Sequence, residues 1–309
     1  MSSMRKWITL LAVLASAQAR WQLQSNVWVN LHQRLMYEAR FGPVKPLADN
    51  EQWKGAIEKY RAFLGKRHPF YDKELLDMNE ALSATKGAKL PDSIPRAAAA
   101  VLESAMPLYR AQQWPEDDRI NRFWISVAEP LLASAGEELV AAHEKAYGRA
   151  FPKRILVDVA SYGWEFGAYT VPVGTDGAHV VMQSQDNPGG EGFYALESLL
   201  HEPSHAIVGD RSGAIGDDIA RVTKETGIRP YSYLWHAILF YTTGELTRRA
   251  LDRRGIHDYK PIILQMYDRG FRDFRQSLET HWQAYLDGKE SREAAIKQIV
   301  IETAPPAKK

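Results

Sequence analysis

The feature that most constrains this chain is where its helix-breaking residues fall. Between about Trp21 and Tyr147, apolar residues recur at helical spacing. The runs are separated by His68-Pro69, Lys86-Gly87, Pro91-Asp92 and Trp114-Pro115-Glu116-Asp117. The bounded segments read as helices: Val27 to Ala39 (stopped by Gly42-Pro43), Trp53 to Leu64, Asp72 to Leu82, Ile94 to Leu108, and Ile120 to Tyr147 with a kink or break at Pro130. At Pro152 the texture changes. Arg154 to Ala160, Ala168 to Val171 and His179 to Met182 are β-rich, with Gly163, Gly167, Gly174 and Gly177 between them. Asn187-Pro188-Gly189-Gly190 closes this stretch, so a hairpin or small antiparallel sheet is expected here. Helical spacing returns over Gly192 to Val208, Ile215 to Glu225, Ser232 to Arg253, Pro261 to Met266, Phe271 to Tyr285 and Ser291 to Ile301. The expected fold class is α+β, mostly α-helical, with one small sheet near the middle.

Residues 1–19 stand apart from the rest. Arg5 and Lys6 precede an apolar run, Trp7 to Ala17, and Ala17-Gln18-Ala19 has the form of a cleavage site, which together read as a signal peptide. The run is too short to span a bilayer as a mature helix, which needs about 20 residues. The expectation is an exported protein, periplasmic or secreted, with no membrane span after the leader is removed. Three segments follow: 1–19 as leader, 20–150 as an N-terminal helical region, and 151–309.

Charge and cysteine content narrow the chemistry. Lys and Arg number 39 against 38 Asp and Glu, which leaves no surplus to hold a phosphate backbone, so nucleic acid is not an expected partner. The chain has no cysteine. Disulfides, thiolate metal sites and cysteine nucleophiles are thereby excluded, and any metal must be held by His, Asp or Glu.

The informative segment is Leu199-Leu200-His201-Glu202-Pro203-Ser204-His205. Residues four apart share a helix face, so His201 and His205 are placed to offer two imidazoles to one metal ion. Glu202 follows His201 by about 100° of rotation, where a carboxylate is able to take a proton from a metal-bound water. Phe193, Ala195, Leu196, Ala206 and Ile207 make the surrounding helix apolar, and Gly209 is a natural stop. Pro203 removes one helical hydrogen bond, frees the Leu199 carbonyl and bends the axis between the two histidines.

Sheet, then an HExxH helix, then further helices: over roughly residues 154–250 this order resembles the zincin metallopeptidases. No histidine stands six residues beyond His205, so the metzincin form of the motif does not apply. The remaining likeness is to gluzincin-type enzymes, in which a later helix supplies the third ligand. The resemblance implies a zincin-like core containing the sheet that precedes the HExxH helix, with residues 151–309 as the catalytic region. It further implies Zn2+ as cofactor and a peptide or other amide as substrate. In the aminopeptidase-like group of these enzymes the third ligand is a glutamate between aromatic residues, with a tyrosine five positions on. His236 with Tyr241 fits that setting, with histidine in the glutamate's place. Glu245 competes, but it lies about 180° around the same helix from His236, so both cannot face one ion. Glu225 matches another gluzincin spacing, though Lys224-Glu225-Thr226-Gly227 reads as a solvated helix end.

The expected site is therefore His201, His205 and His236 on zinc with Glu202 as general base. Tyr231, Tyr233, Tyr241 and Arg229 are candidate oxyanion donors. The strand His179 to Gln183 is a candidate edge for pairing with an extended peptide. Asp217-Asp218 reads as the cap of a helix starting near Ile219, and Arg248-Arg249 and Arg253-Arg254 suit a helix C-terminus. The competing expectation is a non-catalytic cell-envelope binding or structural protein, with a degenerate or purely structural metal site.

Overall fold

The computed structural model describes residues 20–87, 89–164, 167–171, 176–209 and 213–305. The expected leader, 1–19, lies outside the described residues. The chain forms two compact units, one of the residues up to Ala133 with Lys153–Gly192, the other of Ser134–Pro152 with the chain from Phe193 onward. The division expected near residue 150 thus runs differently: the sheet groups with the N-terminal helices.

In the first unit, α1 (Val27–Phe41) is the central element, with eleven of its fifteen residues buried. It is flanked by α2 (Glu51–Leu64), α3 (Lys73–Ala84) and α4 (Arg96–Gln112), and α1, α2 and α3 begin at Asn26, Asn50 and Asp72, whose side chains accept first-turn N–H groups. Trp28, Leu31, Leu35, Trp53, Tyr60 and Tyr109 fill the core. A helix enclosed on nearly every side must satisfy its polar side chains internally. Asn30 donates to the Val159 carbonyl at 3.0 Å, Gln33 to Asn79 at 2.8 Å, and Arg34 to Glu38 at 2.6 Å. Trp28, Asn30 and His32 are all interior groups.

The sheet corrects three expectations. Trp21–Gln24, expected to be helical, forms β1, and the strand order is β1, β2 (Arg154–Ala160), β4 (Gly177–Gln183), β3 (Ala168–Val171). β1 pairs parallel with β2, from Trp21 opposite Ile155, and β2 pairs parallel with β4; only β3 and β4 are antiparallel. The expected small antiparallel sheet is therefore a mixed one. Near-continuous apolar runs are the mark of strands covered on both faces, as parallel strands are, and β4 is buried over six of its seven residues. β4 also lies between β2 and β3, so His179 to Gln183 is not a free edge for a peptide.

The long α5 (Trp114–Tyr147) starts six residues earlier than expected. Pro115 sits in its first turn, where no N–H is needed, and Pro130 does not end it. Residues through Ala133 belong to the first unit and the remainder to the second.

The second unit contains α6 (Phe193–Val208), α7 (Ala214–Thr226) and α8 (Leu234–Asp252). Then come α9 (Ile263–Met266), α10 (Arg275–Ser277), a π segment at Leu278–Trp282 and α11 (Gln283–Leu286), before α12 (Arg292–Glu302). The helix expected over Phe271 to Tyr285 is present as one uninterrupted helical run from Arg272 to Leu286, widened by the π segment at its middle. α7 begins at Ala214, so Asp217 and Asp218 lie within its first turns; they pair with Arg149 and Arg292 instead of capping. Arg253 and Arg254 reach Glu138 of α5. No helix among the described residues is long and apolar enough to cross a membrane.

Candidate metal centre

α6 is continuous through Pro203. The proline's missing N–H leaves a carbonyl of the preceding turn without its usual partner, and Ser204 Oγ donates to the neighbouring Leu200 carbonyl at 2.7 Å. Leu199, Leu200 and Val208 are fully buried, so packing holds the helix where its backbone bonding is weakest. His201 and His205 therefore keep the common face that their spacing predicts.

α8 brings the third imidazole. Its Trp235, His236 and Phe240 face the histidines of α6: the His201 ring lies 5.3 Å from His236 and 4.1 Å from Phe240, and the His205 ring lies 5.1 Å from His236 and 5.5 Å from Trp235. His201 Nε2 and His236 Nε2 are 3.3 Å apart. One ligand atom from each of His201, His205 and His236 falls within a span of 4.8 Å. A tetrahedral ion with nitrogen ligands at 2.0–2.1 Å separates them by about 3.3 Å, the spacing of the His201–His236 pair, so three neutral imidazoles gathered here are a donor set able to hold such an ion.

The electrostatics suit ligation. Burial drives the His201 pKa well below the ordinary range, with His205, His236 and His143 adding to the effect. Burial lowers His205 to about 4. It also lowers His236 to about 3, with His205 contributing. All three are neutral near pH 7, the form in which imidazole binds a metal.

The other expected residues separate clearly. Glu202 is buried beside His201, and its carboxylate is not among the clustered ligand atoms. Glu245 accepts from Arg248 at 2.7 Å and from Arg249 at 2.7 Å, which commits it elsewhere. Glu225 pairs with Arg221 on the outside of α7. Tyr241 donates to Gln283 Oε1 at 2.7 Å. Tyr233 lies parallel to Phe271 at 5.8 Å and next to Tyr231 at 5.5 Å, so both rings belong to an aromatic array that continues from Phe240.

Two neighbours escape a reading of the motif alone. His143 on α5 donates from Nδ1 to the Leu139 carbonyl at 2.7 Å, which leaves Nε2 to accept from Thr243 at 3.2 Å. Glu197, one turn before His201, is fully buried, and burial pushes its carboxyl up to about 8. A lone acid in the apolar run Phe193 to Leu200, four residues ahead of a ligand histidine, was the available signal. One departure from common metal sites is also present. Ligand histidines ordinarily donate their second ring nitrogen to an acceptor, whereas His201 Nδ1 has none among the described residues. The Phe240 ring packs against His201 in its place.

No known family profile, curated protein or solved structure matches the chain.

Proposed function

We propose that this chain is an exported zinc-dependent hydrolase of gluzincin type, acting on a peptide or another amide. The observation that carries the reading is the convergence of three neutral imidazoles, with two Nε2 atoms at the 3.3 Å spacing that a tetrahedral ion requires. His201, His205 and His236 hold the zinc, which supplies Lewis acidity toward a water and a carbonyl. Glu202 takes a proton from the attacking water and returns it to the departing amine, so that amide and water become carboxylic acid and amine. The zinc assignment and the role of Glu202 rest on the HExxH pattern, and export rests on the leader-like residues 1–19. His205 and His236 are each partly exposed, which favours a centre that substrate is able to reach over a closed structural one.

Elemental analysis of protein purified without an affinity metal is expected to return one zinc per chain. Glu202→Gln is expected to keep that zinc and to lose amide hydrolysis, by at least about the hundredfold that a general base supplies. Equal turnover in the variant would remove Glu202 from the mechanism. The second reading, a purely structural metal site, is favoured by His201 Nδ1 lacking an acceptor. It requires zinc to be retained in both proteins with no hydrolysis by either.

A further inference from the structure

We propose that Glu197 is a positioning residue of the histidine centre, pinning α6 against α8 and the Tyr259–Ile262 segment in the register that brings His236 to His201 and His205. The proposal rests on the metal reading above. It concerns what keeps the ligands in place rather than the ligands themselves.

Glu197, His201 and His205 follow one another at four-residue steps on one face of α6, and Gly244, Phe240 and His236 do so in reverse on α8. The contacts pair these faces antiparallel. His205 meets Trp235 and His236, His201 meets His236 and Phe240, and Glu197 meets Gly244. Sliding either helix by one residue moves its side chains about 1.5 Å, whereas metal–ligand distances hold to within about 0.2 Å. The register therefore needs a fixed point, and the Glu197 end of the pair has the features of one.

A Cβ at Gly244 would lie 2.6 Å from Pro261 Cβ and 3.1 Å from Glu197 Oε1, so only glycine permits this approach. The Glu197 carboxyl accepts the Ile262 N–H at 3.1 Å and is bonded to the Tyr259 hydroxyl. One buried side chain thus ties three segments together. The titratable groups facing it are Tyr259 and, beyond that ring, Tyr194; α8 presents Gly244 and no charge. With its carboxyl pushed up to about 8, Glu197 is largely protonated at pH 7, and glutamine reproduces its donor and acceptor.

The test is cobalt(II) binding to the full chain at pH 7, read by d–d absorption and chelator competition, for wild type, Glu197→Gln, Glu197→Ala and Gly244→Ala. Glu197→Gln is expected to match wild type in band position and affinity. Glu197→Ala and Gly244→Ala are expected to shift the bands and weaken binding by about tenfold or more, the scale of losing an outer-shell partner. Unchanged bands and affinity in Glu197→Ala would overturn the proposal, even with a lower melting temperature, because that is the signature of a merely structural role. Should Glu197→Ala fail to fold, Gly244→Ala decides, and wild-type binding in that variant overturns the proposal. Wild type that takes up no cobalt overturns the metal reading together with this one. Uptake by wild type and the alanine variants alike overturns only the positioning role.

Discussion

In the first unit, His179 of β4 donates from Nε2 to the Asp158 carboxyl at 2.7 Å; the same carboxyl also accepts from Ser83 and from Gln24 Nε2 at 2.9 Å. In the second, His201 and His236 turn Nε2 atoms toward each other at 3.3 Å, and no carboxylate joins their cluster among the described residues. Both sites bury imidazole. One spends its Nε2 on a carboxylate that binds β1, β2, β4 and α3 together, and only its Nδ1 lacks a partner among the described residues. The other brings three imidazoles together with no carboxylate among them, the cluster on which the proposed metal site rests. A buried histidine is thus classified by what its nitrogens face, not by its burial.

The largest effect should separate these two sites. His236→Ala is expected to weaken zinc binding by more than about a hundredfold, beyond the loss of an outer-shell partner, with His179→Ala leaving zinc content at wild type. Metal analysis of both variants checks this, and equal zinc in His236→Ala would erase the distinction. Next, Asp158→Ala strands the His179 Nε2–H and the Ser83 hydroxyl donor, while Gln24 keeps Ser83 as its acceptor. At about 1–3 kcal/mol per orphaned group, it should cost the first unit at least about 2 kcal/mol in denaturant unfolding, with zinc binding unchanged.

The comparison sharpens further with pH. His143 and His205, lowered to about 4, and His236, lowered to about 3, are bases depressed below their unfolded values. The stability they contribute is present above about pH 6.5 and is lost as pH falls toward 4. His32, lowered to about 3, adds one such group to the first unit. Acid unfolding should therefore be steeper in the second unit, and added zinc should move it to lower pH. Glu197 acts with the opposite sign. It is an acid raised to about 8, so its contribution is complete below about pH 4.5 and is lost as pH rises toward 8. The smallest predicted effect follows: the gentle decline in stability from pH 6.5 to 8 should flatten in Glu197→Gln. A decline of equal slope in that variant would remove Glu197 as its source.

Much of the helical framework was legible because helix signals are local. Apolar spacing located α1 to α4 and α6 to α8, and breakers such as Gly42 and Gly227 fell at their ends. The errors occurred where distant partners decide. Four residues, Trp21–Gln24, become a strand only because β2 offers its edge more than a hundred residues later. The order β1, β2, β4, β3 was hidden for the same reason: strand sequences carry their periodicity but not the identity of their neighbours. Asp217 and Asp218 have the composition of a cap, but Arg149 and Arg292 claim them.

At the candidate site the division is equally physical. Spacing of four residues placed His201 and His205 on one face of α6, a consequence of 3.6 residues per turn that holds in any fold retaining the helix. Spacing also kept Glu245 and His236 apart on α8. Choosing between them required the packing of α6 on α8, which sets His236 against His201 and leaves Glu245 to Arg248 and Arg249. The fixed point of that packing, Glu197 against Gly244, was likewise decided by tertiary structure alone. Side-chain direction along a helix follows from the backbone repeat, whereas the depth and register at which two helices meet depend on every residue between them.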